Sequence, residues 1–438
     1  MTTIAAGVDR LKRRLPDFLA PALIESLVEK LAVRFRRRIL TPVLTVQLLV
    51  LRVLEANTAY THLAHLSGVA FTGSAFCQAL ARLPLELLQE LLAAVAQRAQ
   101  PWAGALFGGH RVLVIDAMCT SMPDTPGLKR HYGYGTGQKP GLGFPVAKLL
   151  MLLDTSTGLI ARVLIHSCRS HELALTSKLH PELKAGDILL GDRAFASFAH
   201  LALLLAQGCH GLFRAHQRLS WKIKKTSKHR MQARIVRSLG PNDRLTLYKK
   251  PKTCPVWMSA GDYARLPQEM VVREVRYHVD QKGFRSRNVM LVTTLLEPKR
   301  YPRAELARLY GLRWQIETQF CHLKSTLAMA ELKGKRVAII EREILAYVLV
   351  YNLVACEIRR AAASQKTTPD RISFIDAVRW MRAGMNKARR LVQNPRRPGR
   401  VEPRVRKRRL DYYPYMTRPR GVLQRELMQL PKHAARLT

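Results

Sequence analysis

The sequence predicts an α/β fold, with helical segments before and after a mixed sheet. Three observations carry this. Between residues 110 and 216, apolar runs of strand length and of helix length follow in the order β-β-β-α-β-α-β, which gives a three-strand meander and then strands added through crossover helices. Before that stretch Leu and Ala recur at helical spacing, and residues 337–363 read as a further, strongly apolar helix. Over residues 217–300 the alternation stops and short β-like runs separated by turn signals take its place.

The elements follow in chain order. Residues 1–105 read as helical, as in "LLQELLAAVAQRA" (Leu87–Ala99). Within them, "TAYTHLAHLSGVAFTGSAFCQALARLP" reads as two short helices joined at Gly68. Ala64, four residues earlier, gives a spacing that helix-turn-helix units favour, and a plain helical hairpin fits equally well. "RVLVID" (Arg111–Asp116) is a buried-strand run. "PVAKLLMLLD" and "LIARVLIHS" flank the hairpin signal "TSTG". "SHELALTSKLHPEL" reads as a helix with Ser170 as N-cap. "DILLGD" (Asp187–Asp192) is a strand, "ASFAHLALLLAQG" a helix closed by Gly208, and "HGLFRA" a strand. "RLTLYKK" and "EMVVREVRYHV" are strands of the β-rich stretch. Residues 302–330 read as one helix after Pro302. The expected division is 1–105 (helical), 106–216 (first part of the α/β core), 217–300 (β-rich insertion), 301–365 (second part of the core) and 366–438 (a C-terminal helical and basic region).

Composition narrows the function. Lys and Arg number 73 against 31 Asp and Glu, a formal charge of +42. Such an excess costs self-repulsion, and a polyanionic partner is the usual compensation, nucleic acid first. The stretch "WKIKKTSKHRMQAR" is basic, and between Lys387 and Arg409 eleven cations face one acid, Glu402, which suits phosphate contact better than a packed core. Seven cysteines without a CxxC pair point to a reducing compartment, against a disulfide framework or a zinc site. "LAYVLVYNLVAC" is too short to span a bilayer, and no secretory signal follows the first basic residues, so a cytoplasmic protein without membrane contact is expected.

One segment, "YGLRWQIETQFCHLK" (Tyr310–Lys324), concentrates the chemistry. At about 100° per residue, Arg313, Glu317 and Lys324 fall near −60°, −20° and −40° from Tyr310, one stripe about a sixth of the circumference wide. An i,i+4 salt bridge explains Arg313 and Glu317 on a solvated face, but not the Tyr, nor the apolar residues flanking the stripe. A polar stripe between apolar neighbours lies in a cleft, where sites form. Asp116 and Asp192 each close a buried strand run, which is where α/β sites form. Two Asp and a Glu brought together are costly without cations. Hard oxygen ligands suit Mg²⁺, with Mn²⁺ able to substitute, and two such ions can activate a nucleophile and stabilise a leaving 3′ oxygen. Arg313 and Lys324 would then grip phosphates.

Tyr310-x2-Arg313-x3-Glu317-x6-Lys324 matches the YREK signature of the IS4-type transposases, a branch of the DDE transposases. "IDAMCTSMPDTP" resembles that family's first-Asp region and "LLGDRAF" its second, with Ala194 where a Gly is usual. "SAFCQALARLP" and "RVEPRVRKRRLDYYPYMTRPR" also resemble segments of such proteins, so the likeness runs from about residue 40 to 420. The resemblance implies an RNase H-like catalytic core with a mostly β insertion between Asp192 and Glu317, an N-terminal helical DNA-binding domain and a C-terminal helical and basic region. It implies Asp116, Asp192 and Glu317 as ligands of two Mg²⁺ ions, and Tyr310, Arg313 and Lys324 as residues that hold the DNA backbone. It implies cut-and-paste transposition on double-stranded transposon ends and target. Water cleaves one strand, the freed 3′-OH attacks the other to form a hairpin, and the reopened 3′ ends join the target, with a homodimer in the synaptic complex. In some relatives a Trp of the insertion stabilises a flipped base. Trp221 or Trp257 stands for that role here, against ordinary packing in a β core.

Other acids have plainer readings. Asp187 starts the strand that Asp192 ends, Asp124 reads as a turn or cap, and Asp154 as a hairpin turn. Two other functions remain: an RNase H-like nuclease or resolvase that cuts without joining, and a silent DNA-binding relic.

Overall fold

The structure, a computed structural model, describes residues 19–35, 38–104, 106–135, 143–215, 233–279 and 288–382. The N-terminal part holds α1 (Pro21–Lys30), α2 (Pro42–Leu54), α3 (Tyr60–Ser67), α4 (Gly73–Arg82) and α5 (Leu85–Arg98). Thr41 and Thr72 cap α2 and α4, their hydroxyls accepting the Leu44 and Ala75 amides and so satisfying donors that a helix start leaves free. α3 ends at Gly68, which takes φ +69°, a conformation a Cβ would penalise. The two short helices expected around Gly68 are therefore α3 and α4.

Then follow β1 (Val112–Ser121), α6 (Pro126–Tyr132), β2 (Val146–Asp154), β3 (Leu159–Ser167), α7 (Glu172–Thr176), β4 (Ile188–Gly191), α8 (Phe198–Ala206) and β5 (His210–Arg214). This is the expected β-β-β-α-β-α-β order, with the short α6 added inside the meander. His171, not Ser170, caps α7, its ring nitrogen accepting the Leu173 amide. The β2–β3 turn is held by Asp154, whose carboxylate accepts the Ser156 amide and hydroxyl, with Gly158 at φ +66°.

The remaining strands are β6 (Ala233–Gly240), β7 (Asp243–Lys249), β8 (Glu269–His278) and β9 (Asn288–Thr293), with α9 (Ala260–Arg265) between β7 and β8. They extend the same sheet, in the order β3-β2-β1-β4-β5-β9-β8-β7-β6 among the described residues. β1, β4 and β5 are parallel and the other pairs antiparallel.

Apolar residues alternate along the strands and feed two cores. On one face Val112, Val114, Leu149, Met151, Ile188 and Leu190 join the N-terminal helices and α12 (Val337–Ser364), against which α13 (Phe374–Arg382) packs. On the other face Leu113, Ile115, Leu150, Leu152 and Leu189 pack on α7 and α8. Buried Asn352 on α12 closes the edge strand β3, its side chain accepting the Ile160 amide and donating to the Ile160 carbonyl.

The single helix expected over 302–330 is broken. α10 (Arg303–Gly311) gives way to α11 (Trp314–Cys321) and then a π turn, His322–Thr326. At the break, Leu312, Arg313 and Ile316 donate to the carbonyls three residues back instead of four, tightening the turn, and Leu327 reaches back five to His322. The even 100° pitch behind the single-stripe reading therefore does not hold.

Candidate active site

Asp116 does not close its strand, as the apolar run alone suggests: β1 runs five residues further, because β2 pairs with it as far as Ser121. What ends near Asp116 is the parallel pairing with β4, whose last partners are Val114 and Leu190. Asp192, directly after β4 and two residues past Leu190, is level with Asp116. Gly191 pairs with Phe213, so Arg214 at the end of β5 is level with Asp192. Asp116 follows the even residues of β1, which face α12 and the broken helix.

Arg313, at the break between α10 and α11, joins the sheet to the helix. Its guanidinium donates to the Asp116 carboxylate at 3.0 Å and to the Glu317 carboxylate at 3.1 Å. It lies over the Trp314 ring, 4.6 Å from the centroid, and 6.0 Å from that of Tyr310. The Arg313 side chain is 9% exposed, and its buried Nε has no hydrogen-bond partner among the described residues. Burial pushes the Asp116 carboxyl up to about 6. Arg313 and the Ala117 amide pull it down, and the Asp192 and Glu317 charges add to the rise. Burial also raises Glu317, against the pull of Arg313. Arg313 is itself raised, because Tyr310, Asp116 and Glu317 outweigh the cost of burying its charge.

Tyr310 is buried, and burial pushes its phenol up to about 12 against the pull of Arg313 and Arg214, with Asp192 adding to the rise. Tyr277 on β8 is raised in the same way, by burial first and then by Tyr310. Five of the six residues singled out in the sequence thus gather where β1 and β4 meet the broken helix. Lys324 sits apart. It lies in the π turn and makes itself felt at Cys119, near the end of β1, where it and Lys148 partly offset the effect of burial on the thiol. No contact joins Lys324 to Glu317 among the described residues.

Sequence reasoning passed over Arg214 and Tyr277. Arg214 closes the buried run of β5 just as Asp192 follows that of β4, and that signal was available. Tyr277 had none, since only the joining of β8 to β9 carries it toward Tyr310.

The loop after Asp192 is held from below. The Asp192 carboxylate accepts the Ala194 amide at 2.7 Å. Phe195 is fully buried, and its carbonyl accepts from His200 Nδ1 at 2.8 Å. That contact leaves His200 Nε2 as the acceptor for His180 Nε2–H, 3.1 Å away, with the two rings stacked.

The rival acids have structural partners. Asp187 pairs with Arg111, Asp124 accepts the Tyr134 hydroxyl, and Asp154 holds its turn. Trp257 packs, half-buried, against the core that holds α8. Trp221 and the basic run 387–409 lie outside the described residues. Among the described residues, no three His, Cys, Asp or Glu side chains are close enough together to hold one metal ion. Arg313 is bonded to two of the candidate carboxylates instead. The donor set still fits a hard divalent cation: three carboxylates, one of them raised by burial and by like charges, a cost that a cation would relieve. No helix among the described residues is long and apolar enough to cross a membrane.

A model of the transposase DDE domain matches residues 107–353, more than half of the chain. Transposase InsG for insertion sequence element IS4, from Escherichia coli (strain K12), is 25% identical over 379 residues, which cover 83% of this chain and 80% of that protein. Among solved structures, a cryo-EM structure of the piggyBac transposase synaptic complex with hairpin DNA covers 91% of this chain and 85% of its own, at 12% identity and a TM-score of 0.44. The chain belongs to the transposase DDE domain family and is an IS4-type DDE transposase.

Proposed function

We propose that Asp116, Asp192 and Glu317 are the metal-ligating catalytic acids of this insertion-sequence transposase, which binds terminal inverted repeats and moves its element by cut-and-paste. The observation that carries the proposal is the reach of Arg313 from Glu317 on α11 to Asp116 on β1, with Asp192 level beside it. We read the β3-β2-β1-β4-β5 part of the sheet as an RNase H-like core, from its strand order and the sense of each pair. Residues 1–105 are then the end-binding helical domain, 217–300 the β insertion, 301–365 the return to the core and 366–438 a basic region for DNA.

Members of the family use divalent metal ions. Two Mg²⁺ held by these carboxylates would supply an activated water at one side of the scissile phosphate and charge stabilisation of the leaving 3′ oxygen at the other. The chain's own residues do the rest. Arg313 gives up its carboxylate partners and donates to phosphate oxygens, where its planar fork fits as well as it does on carboxylates. Tyr310 brings a phenol that burial keeps protonated, and so a hydrogen-bond donor, at the level of Asp192. Arg214 adds a cation at that level. Lys324, near the far end of β1, would reach the strand some distance from the cut. Joining two ends in one reaction calls for two copies of the chain, and so a homodimer in the synaptic complex.

The test uses DNA flanking the gene as substrate, with Mg²⁺, for the wild type beside Glu317→Gln, and maps strand breaks. Cleavage at a defined end by the wild type and none by the variant is the expected result. Equal cleavage by both would place the chemistry elsewhere, and cleavage without joining would favour the nuclease reading.

A further inference from the structure

We propose that a basic cavity beyond the end of β1 seats one backbone phosphodiester of the bound duplex, away from the scissile phosphate. The inference rests on the DNA-transposase reading and adds a site to it. The cavity, about 520 Å³, is bounded by the end of α6, the glycine turn after it and the end of β3. Lys129, Arg130 and His131 from α6 line it on one side and Arg169 on the other, and no Asp or Glu does. Lys129, Arg130 and Arg169 make no ion pair among the described residues.

Two of these cations rest against neighbours that are not counter-ions. The Lys129 ammonium lies over the Tyr134 ring, 4.9 Å from its centroid. Arg169 packs against Gly133, where a Cβ would come within 3.3 Å of its guanidinium carbon, and at φ +72° any side chain would also be strained. Two acids come near without lining the cavity: Asp124 accepts the Tyr134 hydroxyl, and Glu341 on α12 acts on His131. Basic residues in the last turn of α6 would also suit its carbonyl end. That accounts for neither Arg169, which comes from another element, nor the glycine against it. Exposed cations around a concave surface that no carboxylate lines, in a chain this basic, point to an anion, and a planar guanidinium beside an ammonium matches a phosphate.

The position is specific. From Asp116 to Ser121, β1 advances about 17 Å. The cavity opens just past that end, since Tyr134 bridges Pro145, the residue before β2. For a duplex that runs along β1, at about 3.4 Å per step, the seated phosphate is about five to seven steps from the cut.

A methylphosphonate scan of the end duplex, one neutralised linkage at a time, tests this by binding affinity. It compares the wild type with Lys129→Gln/Arg169→Gln. The wild type should lose affinity at a linkage about five to seven steps from the cut, and the double variant should be indifferent to that linkage while matching the wild type at linkages beside the cut. Its log–log salt slope should be shallower by about one. The charge-keeping Lys129→Arg/Arg169→Lys should keep most of the effect. A responsive linkage inside the element assigns the phosphate to the transposon end, and one outside it to flanking DNA. Identical scans and slopes for wild type and variant, with binding and cleavage intact, would overturn the proposal and leave the transposase reading standing. A wild type that binds no flanking DNA would overturn both.

Discussion

Arg313 and the buried histidines carry the chemistry at the scale of single residues. Removing Arg313 would leave Asp116 buried beside two like charges, so part of any lost activity would come from a disturbed carboxylate and not from a lost phosphate contact. The His180–His200 pair allows a cleaner prediction. Burial lowers His180 to about 4 and His200 to about 3, and His180 also lowers His200. Both are neutral in the fold and take up protons more readily once unfolded. The stability they contribute is whole above their ordinary value near 6.5 and is lost as pH falls toward about 4. Asp116 works in the opposite sense: raised to about 6, it adds stability as pH falls. The informative quantity is therefore a difference. Thermal melts of wild type and His180→Gln at pH 7 and pH 5 should show a smaller drop in Tm for the variant, and parallel melts would refute the neutral-pair reading. In the sequence, Asp116 and Asp192 stood out as acids closing apolar runs, whereas the contact of Arg313 with Asp116 spans 197 positions and has no local trace.

At the scale of elements, the segment "LLGDRAF" shows how the sheet aims Asp192. A Cβ on Gly191 would come within 2.8 Å of Phe195, 3.1 Å of Phe213 and 3.2 Å of Ile115, all side chains of a packed core. Gly191→Ala should therefore cost on the order of 1–3 kcal/mol by overpacking. Because Phe195 is the residue pushed, the loop bearing Asp192 should shift with it. Cleavage should fall more than DNA binding does, and a variant with wild-type cleavage and a wild-type Tm would refute the argument. The sequence showed the strand and helix on either side of this loop by their apolar patterns. It did not show the tightened turn at Leu312–Arg313 or the π turn at 322–326, because both depend on which carbonyl each amide finds, and residue spacing is silent on that. The β-rich stretch was readable as strands, but not as an extension of the same sheet, since strand propensity does not name a partner.

At the scale of the whole molecule, one hydrophobic core runs from Leu19 in the N-terminal segment to Met381 in α13, with the even-facing residues of β1 and β4 inside it. A buried ion pair crosses this core. Arg52 on α2 donates to Glu343 on α12 at 2.9 Å, with both side chains at most 3% exposed. Glu343 also accepts the Lys333 and Gly334 amides in the stretch that leads out of the π turn, and Arg52 lies 4.7 Å from the centroid of the Tyr60 ring at the start of α3. One carboxylate thus ties together α2, α12 and the chain just past Lys324. Glu343→Ala would leave a buried guanidinium and two amides without their acceptor, at a cost of about 3–5 kcal/mol. If the helices and the sheet fold as one cooperative unit, helical and tertiary signals should melt together in the variant at a lower temperature, and cleavage should fall with the folded fraction. A variant in which the tertiary signal around the sheet persists after α1–α5 have melted would mean that the N-terminal helices are a separable module that only leans on α12.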